Sequence, residues 1–237
     1  MKCLFLAAGY ATRLYPITEN FPKPLLEVKG KPILDWFIDD LDSGSYIDEY
    51  IVVTNHKFFP MFDLWAKKHK QKITVMDDMT SSNETRLGAV KDIYLVISSL
   101  NINEDLLILA GDNILDFSLN GFIKYALDKS TSCIMRYEEN DINRIRRTGN
   151  LLIDEDELVL EMLEKPVTPI SNWGCPPFYF YKQSDLYLIK DEIDSGVSLD
   201  APGSLAKYIS KKSKVHAYLM PGKRYDIGTV EDYNRIK

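Results

Sequence analysis

The chain has 237 residues, of which 45% are hydrophobic and 27% charged, with a formal net charge of −6. This is the make-up of an ordinary globular protein, and its acidic balance excludes a nonspecific nucleic-acid binder, which needs a basic face to neutralise phosphates. No run approaches the roughly 20 apolar residues that span a bilayer.

The apolar run after Lys2 is too short for a secretory signal, and Cys3, Cys133 and Cys175 lack metal-ligand spacing. A cytoplasmic protein with buried thiols is expected. Residues 2–7 read as a first strand buried on both faces. The small residues Ala7, Ala8, Gly9 and Ala11 then permit a turn whose N–H groups can point at an anion. Arg13 adds a planar cation and Lys23 a mobile one, stiffened between Pro22 and Pro24. Residues 31–42 predict a helix with Pro32 in its first turn, an apolar face of Ile33, Leu34, Phe37, Ile38 and Leu41, and Gly44 at its end. A strand over 50–54, a helix over 60–70 with Met61, Leu64 and Trp65 inward, and a strand over 72–76 follow.

A longer helix is expected over 84–100, where Leu87, Val90, Tyr94 and Ile97 recur at helical spacing. The apolar strand 105–110 then ends in Gly111-Asp112-Asn113. Strands alternating with helices predict a doubly wound parallel sheet, and ligands bind beyond the carboxyl ends of such strands, where Asp112 falls. From Thr131 the pattern changes to short alternating runs at 133–137, 150–153, 158–163 and 178–181, an antiparallel or mixed, β-rich lobe. The acidic stretch Asp154-Glu155-Asp156-Glu157 is a hairpin tip rather than a metal site, because adjacent side chains point to opposite sides. Helices over 182–192 and 204–210, a parallel strand over 214–219 and a helix over 230–237 complete the chain. Thr229 is the expected N-cap of that helix, with Asp232 in capping-box position. The whole is one α/β domain, 1–237, with an α/β half (1–130) and a β-rich half (131–237).

Taken singly, each charged residue is a solvated surface group and each aspartate a turn residue or cap. Together, Leu6-Ala7-Ala8-Gly9, Thr12-Arg13-Leu14, Pro16, Thr18, Pro22-Lys23-Pro24-Leu25, Val28 and Gly30-Lys31-Pro32 follow a longer pattern. It resembles the N-terminal signature of the nucleoside-diphosphate-sugar pyrophosphorylases, or sugar-1-phosphate nucleotidyltransferases: L-A-A-G-x-G-T-R-L-x-P-L-T-x-x-x-P-K-P-L, then V-x-G-K-P. The match is closest in style to a short glucose-1-phosphate thymidylyltransferase. Ala11 stands where the signature has its second glycine.

The resemblance implies a Rossmann-like, doubly wound mixed sheet of the GT-A-like nucleotidyltransferase kind, with a β-rich substrate-binding lobe. It implies Mg²⁺-dependent transfer of a nucleotidyl group from a nucleoside triphosphate to a sugar-1-phosphate, in the cytoplasm, by a monomer or small homo-oligomer feeding polysaccharide synthesis. Arg13, Lys23 and Asp112 would be catalytic. Leu6, Ala7, Ala8, Gly9, Asn83, Arg86 and Gly88 would bind nucleotide; Glu164 and Lys165, which match the E-K-P motif, would bind the sugar phosphate with Asn172. Asp112 and Asp226, the latter in a match to D-x-G-T, would hold the metal, which takes carboxylates plus substrate phosphates as ligands.

Substrate identity departs from the pattern. Asn83-Glu84-Thr85-Arg86-Leu87-Gly88-Ala89 replaces L-G-T-A-G-A, so Asn83 either caps a helix or reads a base, and Arg86 either contacts nucleotide or lies on the surface. Pro177 replaces the glycine of T-G-L-Y-F-Y, and Trp173 either stacks on a ring or belongs to the core. A cytidylyltransferase acting on phosphocholine or another non-sugar phosphate, and a catalytically silent nucleotide-sugar sensor, are the alternatives. A dehydrogenase is disfavoured because Gly9 lacks the further glycines of G-x-G-x-x-G.

Overall fold

The computed structural model describes residues 1–196 and 199–237. In chain order its elements are β1 (Lys2–Leu6), β2 (Glu27–Val28), β3 (Lys31–Pro32), α1 (Ile33–Asp42), β4 (Glu49–Thr54), α2 (Phe59–Ala66), β5 (Ile73–Asp77), α3 (Ala89–Ser99), β6 (Leu106–Ala110), β7 (Asn113–Leu115), α4 (Asn120–Lys129) and β8 (Ser132–Glu138). There follow α5 (Ile142–Ile145), β9 (Gly149–Ile153), β10 (Val159–Glu164), β11 (Trp173–Cys175), β12 (Phe178–Tyr181), α6 (Tyr187–Asp194), α7 (Pro202–Ser210), β13 (Val215–Leu219), β14 (Arg224–Asp226) and α8 (Val230–Ile236). Contacts divide the chain into two units: Met1–Leu87 with Leu109–Asn120 and Gly222–Lys237, and Gly88–Ile108 with Gly121–Pro221.

The first unit is parallel at its centre. β1 pairs with β4 and β4 with β5, in registers that bring Leu6 level with Val53 and Thr54 level with Asp77. All six residues of β4 are buried, the fate of a continuous apolar run in a parallel sheet. Its one charge, Glu49, is met by Lys2 at 2.5 Å, Thr74 at 2.6 Å and Lys72 at 3.0 Å. Burial would raise its pKa, but these bonds outweigh it and hold the carboxyl at about 2.

Helix α1 buries the face expected from sequence, Ile33, Leu34, Phe37, Ile38 and Leu41. It starts two residues later than expected, because Lys31 and Pro32 pair with Val28 and Glu27 across a turn with both Lys29 and Gly30 at positive φ. Helix α2 ends at Ala66 and turns Leu64 outward, 63% exposed, while Phe62 and Trp65 face in. The inward assignment of Leu64 is thereby corrected: Phe62, three residues before Trp65, takes that place on the core stripe. At the chain's end Thr229 caps α8 as expected, accepting from the Asp232 amide at 3.2 Å and bonding the Asp232 carboxylate at 2.9 Å.

The second unit is mainly antiparallel, with strand order β10-β9-β11-β8-β12 and β13 added to β8 in parallel. Its helices α3, α6 and α7 pack on one another, and α7 covers β10. Helix α3 begins at Ala89 rather than 84, because Gly88 has φ 90, a conformation that breaks the helix for any residue with a Cβ. The expected helix 182–192 is divided, a 3-10 turn at Gln183–Asp185 preceding α6. Helix α4 and strand β11 have no counterpart in the sequence reading. At the acidic hairpin tip, Glu157 is structural: it takes bonds from Arg136 (3.0 Å) and Tyr125 (2.8 Å).

Candidate active site

Chemistry gathers in the first unit where β1 ends. The Ala7 amide is still part of the sheet, donating to Val53 O at 2.9 Å. Beyond it the chain turns over buried Asn55, whose side-chain amide donates to Ala8 O at 3.0 Å. Ala11 takes the left-handed conformation at φ 48 and ψ 41, ahead of a 3-10 turn at Thr12–Leu14 that carries exposed Arg13. Thr18 holds Ala11 there, its hydroxyl donating to Ala11 O at 2.8 Å. A residue with a Cβ pays roughly 1–2 kcal/mol for that conformation, so the absent glycine is tolerated through a local bond. At Gly9 an added Cβ would meet nothing within 4 Å. Its bareness opens space rather than enabling a backbone twist.

That space is a cavity of about 160 Å³, lined among others by Leu6, Gly9, Arg13, Lys23, Pro24 and Asp112. Lys23 is only 7% exposed, and its ammonium lies 2.7 Å from Asp112 Oδ2 and 3.9 Å from Asp226 Oδ1. The two aspartates meet because β7 and β14 form an antiparallel ladder in which Asn113 faces Asp226. The Ile227 amide extends it to Asp112 O at 3.4 Å. Partial burial and the neighbouring Asp112 charge raise the Asp226 pKa, against Lys23, Arg224 and Arg13.

Two partners escaped the sequence reading. Asn113, 1% exposed, donates to the other Asp112 oxygen, Oδ1, at 2.7 Å, and accepts from Arg224 Nη1 at 2.9 Å. Asn113 stood beside Asp112 in the motif and was legible. Arg224 carried no signal, since only the ladder register brings it there.

The remaining expected nucleotide residues are less uniform. Asn83 does not cap a helix: it lies in a turn before α3, and its carbonyl accepts from Arg86 Nη1 at 3.0 Å. Gly88 belongs to the second unit, where an added Cβ would lie 2.7 Å from Leu199 O. The first α3 amides bond backbone there, Ala89 N to Asp200 O at 3.2 Å and Val90 N to Leu199 O at 3.1 Å.

Glu164 ends β10 in the second unit, and Lys165 follows it. Lys165 has φ 47, its amide donates to Thr148 O at 3.1 Å, and its exposed ammonium lies 3.9 Å from Glu164 Oε1. Burial raises the Glu164 pKa against the charges of Lys165 and Lys207. Gly203 lies opposite, where a Cβ would fall 1.9 Å from Glu164 Oε2 and displace that carboxylate. Asn172 stands apart from this pair. Glu164 and Cys175 are both level with Gly149, whereas Asn172 precedes β11 at its other end and donates to Glu138 Oε1 at 3.0 Å. Trp173 has its ring under the Arg136 guanidinium, 4.2 Å from the centroid.

No group of three or more His, Cys, Asp or Glu side chains is placed to hold a metal among the described residues. Asp112 and Asp226 offer two hard oxygen donors, a set that suits Mg²⁺ when substrate phosphates supply further ligands.

A parallel sheet with a bare turn and two cations at the end of its first strand, facing two aspartates, is a phosphate-handling arrangement. The chain belongs to the nucleotidyl transferase family. The family model matches residues 2–237. A UTP–glucose-1-phosphate uridylyltransferase from Haloferax volcanii is 27% identical over 242 residues, covering 98% of this chain and 93% of that protein. Two longer relatives, from Sulfolobus acidocaldarius and Fervidobacterium nodosum, are matched over only 62% and 59% of their own lengths. Among solved structures, a UDP-glucose pyrophosphorylase complexed with UDP-glucose superposes with a TM-score of 0.81 at 21% identity, over 99% of this chain and 96% of that one. A CTP:phosphocholine cytidylyltransferase from Streptococcus pneumoniae gives 0.75 at 23% identity, over 99% and 96%. The fold is thus the Rossmann-like α/β fold of those solved structures, and the chain spans about three fifths of the length of the Sulfolobus and Fervidobacterium relatives. No helix among the described residues is long and apolar enough to cross a membrane.

Proposed function

We propose that the chain transfers a nucleotidyl group from a nucleoside triphosphate to a sugar-1-phosphate, with Mg²⁺ held by Asp112 and Asp226, in the cytoplasm. The observation that carries this reading is the buried Lys23 ammonium shared between those two aspartates, beside the open turn at Gly9 and Arg13. An acceptor-phosphate oxygen attacks the α-phosphorus, one P–O bond forms, the α–β phosphoanhydride breaks, and pyrophosphate leaves with the electron pair. The attacking oxygen is already anionic near neutral pH, so no protein nucleophile or base is needed.

The protein's part is orientation and charge stabilisation. Arg13 and the turn amides beyond Ala7 hold the departing pyrophosphate. Lys23 neutralises charge at the α-phosphate, Asn113 keeps Asp112 in position, and Lys165 takes the acceptor phosphate while Glu164 accepts from acceptor hydroxyls. Bound at Asp112 and Asp226, the metal would supply charge neutralisation for the triphosphate and the acceptor phosphate.

The test is pyrophosphate release by the purified chain with Mg²⁺, each common nucleoside triphosphate, and a panel of hexose-1-phosphates plus phosphocholine. Release with one sugar phosphate and none without metal is expected. Release with phosphocholine alone would replace the acceptor class. Calorimetric nucleotide binding without turnover on any acceptor would point to a sensor.

A further inference from the structure

Helix α6 buries three side chains, Leu188, Ile189 and Glu192. Glu192 thus occupies the apolar stripe one turn beyond Leu188, where a leucine would pack. It is 0% exposed, and neither carboxylate oxygen has a hydrogen-bond partner among the described residues. Buried carboxylates are ordinarily paired, because an unpaired one forfeits its hydration with nothing in return. The Tyr181 hydroxyl, also buried and without a partner, senses the Glu192 charge without bonding it. One hydroxyl could in any case satisfy only one of the two oxygens.

Glu192 also lines a cavity of about 500 Å³ within the second unit. Helix α7 contributes Ser204, Lys207 and Tyr208 to its wall and its C-cap Lys211 continues the same face, and Glu164 and Lys165 stand at its β10 side. The cavity is thus bipolar. Lys165, Lys207 and Lys211 suit a phosphate; Glu164 and Asp200 are the other acids on the wall, and Glu192 lies just beneath it with two acceptor oxygens that have no partner among the described residues. Its size is that of a small-ligand pocket.

We propose that this cavity selects an acceptor phosphate that carries a protonated primary or secondary amine, with the Glu192 carboxylate as the amine's partner. The inference rests on the nucleotidyl-transfer reading for the acceptor's phosphate and extends it to the acceptor's substituent. An ammonium brings both the charge and the N–H donors that Glu192 lacks; a hydroxyl brings a donor without the charge. A quaternary ammonium brings charge without a donor and is usually caged by aromatic faces, whereas Tyr208 is the only aromatic residue lining the cavity among the described residues.

The experiment is calorimetric binding to the whole chain at pH 8, wild type against Glu192→Gln, with four probes: glucosamine-1-phosphate, glucose-1-phosphate, phosphoethanolamine and phosphocholine. A charge-assisted bond predicts that each N–H-bearing probe binds about tenfold or more tightly than its partner, glucosamine-1-phosphate over glucose-1-phosphate or phosphoethanolamine over phosphocholine. Preference in the sugar pair assigns an amino sugar; preference confined to the second pair assigns a small amino alcohol phosphate. In Glu192→Gln the preference should vanish while glucose-1-phosphate binding is unchanged. Tyr181→Phe should keep it. Equal affinities within both pairs in the wild type, or a preference that survives Glu192→Gln, overturns the proposal. Should that variant not fold, the wild-type pairs decide alone. Pyrophosphate release with glucose-1-phosphate is measured in parallel. Its absence with every nucleotide rejects sugar-phosphate transfer and leaves the binding comparison to judge the amine site separately.

Discussion

Replacing Glu192 with Gln should stabilise the protein in a pH-dependent way. Burial pushes the Glu192 pKa up to about 7 from an ordinary 4.5. The gap of about 2.5 pH units, at about 1.4 kcal/mol per unit, means that ionising the buried side chain costs about 3–4 kcal/mol. The sign follows from proton counting. Between pH 4.5 and 7 the folded state holds a proton that the unfolded state has released, so wild-type stability falls as pH rises through this window. Below 4.5 both states are protonated and the penalty is absent; above 7 it is complete. Glutamine keeps the shape and never ionises. Urea unfolding at pH 5 and pH 8.5 should therefore show a small difference between variant and wild type at the lower pH. At the higher pH an advantage of about 3–4 kcal/mol is expected, or about 6–16 °C in melting temperature for a chain of this length. Glu164, Asp200, Lys207, Lys211 and Tyr181 surround the same region, and Glu164 titrates in the same direction. The variant-minus-wild-type difference, rather than either curve alone, isolates Glu192. An advantage equal at both pH values would refute the reasoning, because a pure packing change carries no proton linkage.

At the catalytic end, Asp112→Asn or Arg13→Ala should lower turnover by about 100-fold or more with unfolding midpoints little changed; near-normal rates in steady-state assays would reject their assigned roles. Lys23→Met should abolish turnover comparably. It should also tighten Mn²⁺ binding measured by electron paramagnetic resonance without nucleotide, since it removes the ammonium that shares Asp112 and Asp226; weakened binding would show that these acids are not the metal ligands. Gly9→Val, whose side chain starts in open space, should leave melting unchanged and weaken nucleotide binding in calorimetry. Gly203→Ala places a methyl 1.9 Å from the Glu164 carboxylate and should raise the acceptor KM more than it lowers kcat.

How far each of these residues was visible in the sequence depends on how local its structural cause is. The turn at Gly9, Arg13 and Lys23 sits in one stretch governed by small residues and prolines, and continuous apolar runs mark β1, β4 and β6 through burial on both faces. Helix α3 was overextended because Leu87 continues the spacing of Val90, Tyr94 and Ile97, and periodicity does not register that Gly88 adopts φ 90. Helix α4 was missed: Asn120 and Gly121 open it without an apolar run, and its buried Phe122, Ile123 and Ala126 make a short stripe. Strand β11 has three residues, too few to show a period. Glu192 was the hardest to foresee. A charged residue in an acidic helix looks solvated, and only tertiary packing reveals it as buried.

The same distinction explains how the acidic pair is built. Asp112 and Asp226 lie far apart in sequence, and neither is rigid by itself: their side chains are 36% and 51% exposed. What fixes them is a ladder of three-residue strands, marginal in isolation, to which side chains add the missing restraint. Asn113 opposes Asp226 in register, ties down Asp112 Oδ1 and is held in turn by Arg224. Asp112 Oδ2 is thereby directed to Lys23, whose ammonium is itself nearly enclosed. Each acid has a neutralising cation within the same unit, so the site tolerates two close carboxylates before any substrate arrives. Arg13 stays exposed and, among the described residues, forms no ion pair with either acid, which on the proposed function leaves its guanidinium accessible to an incoming polyphosphate.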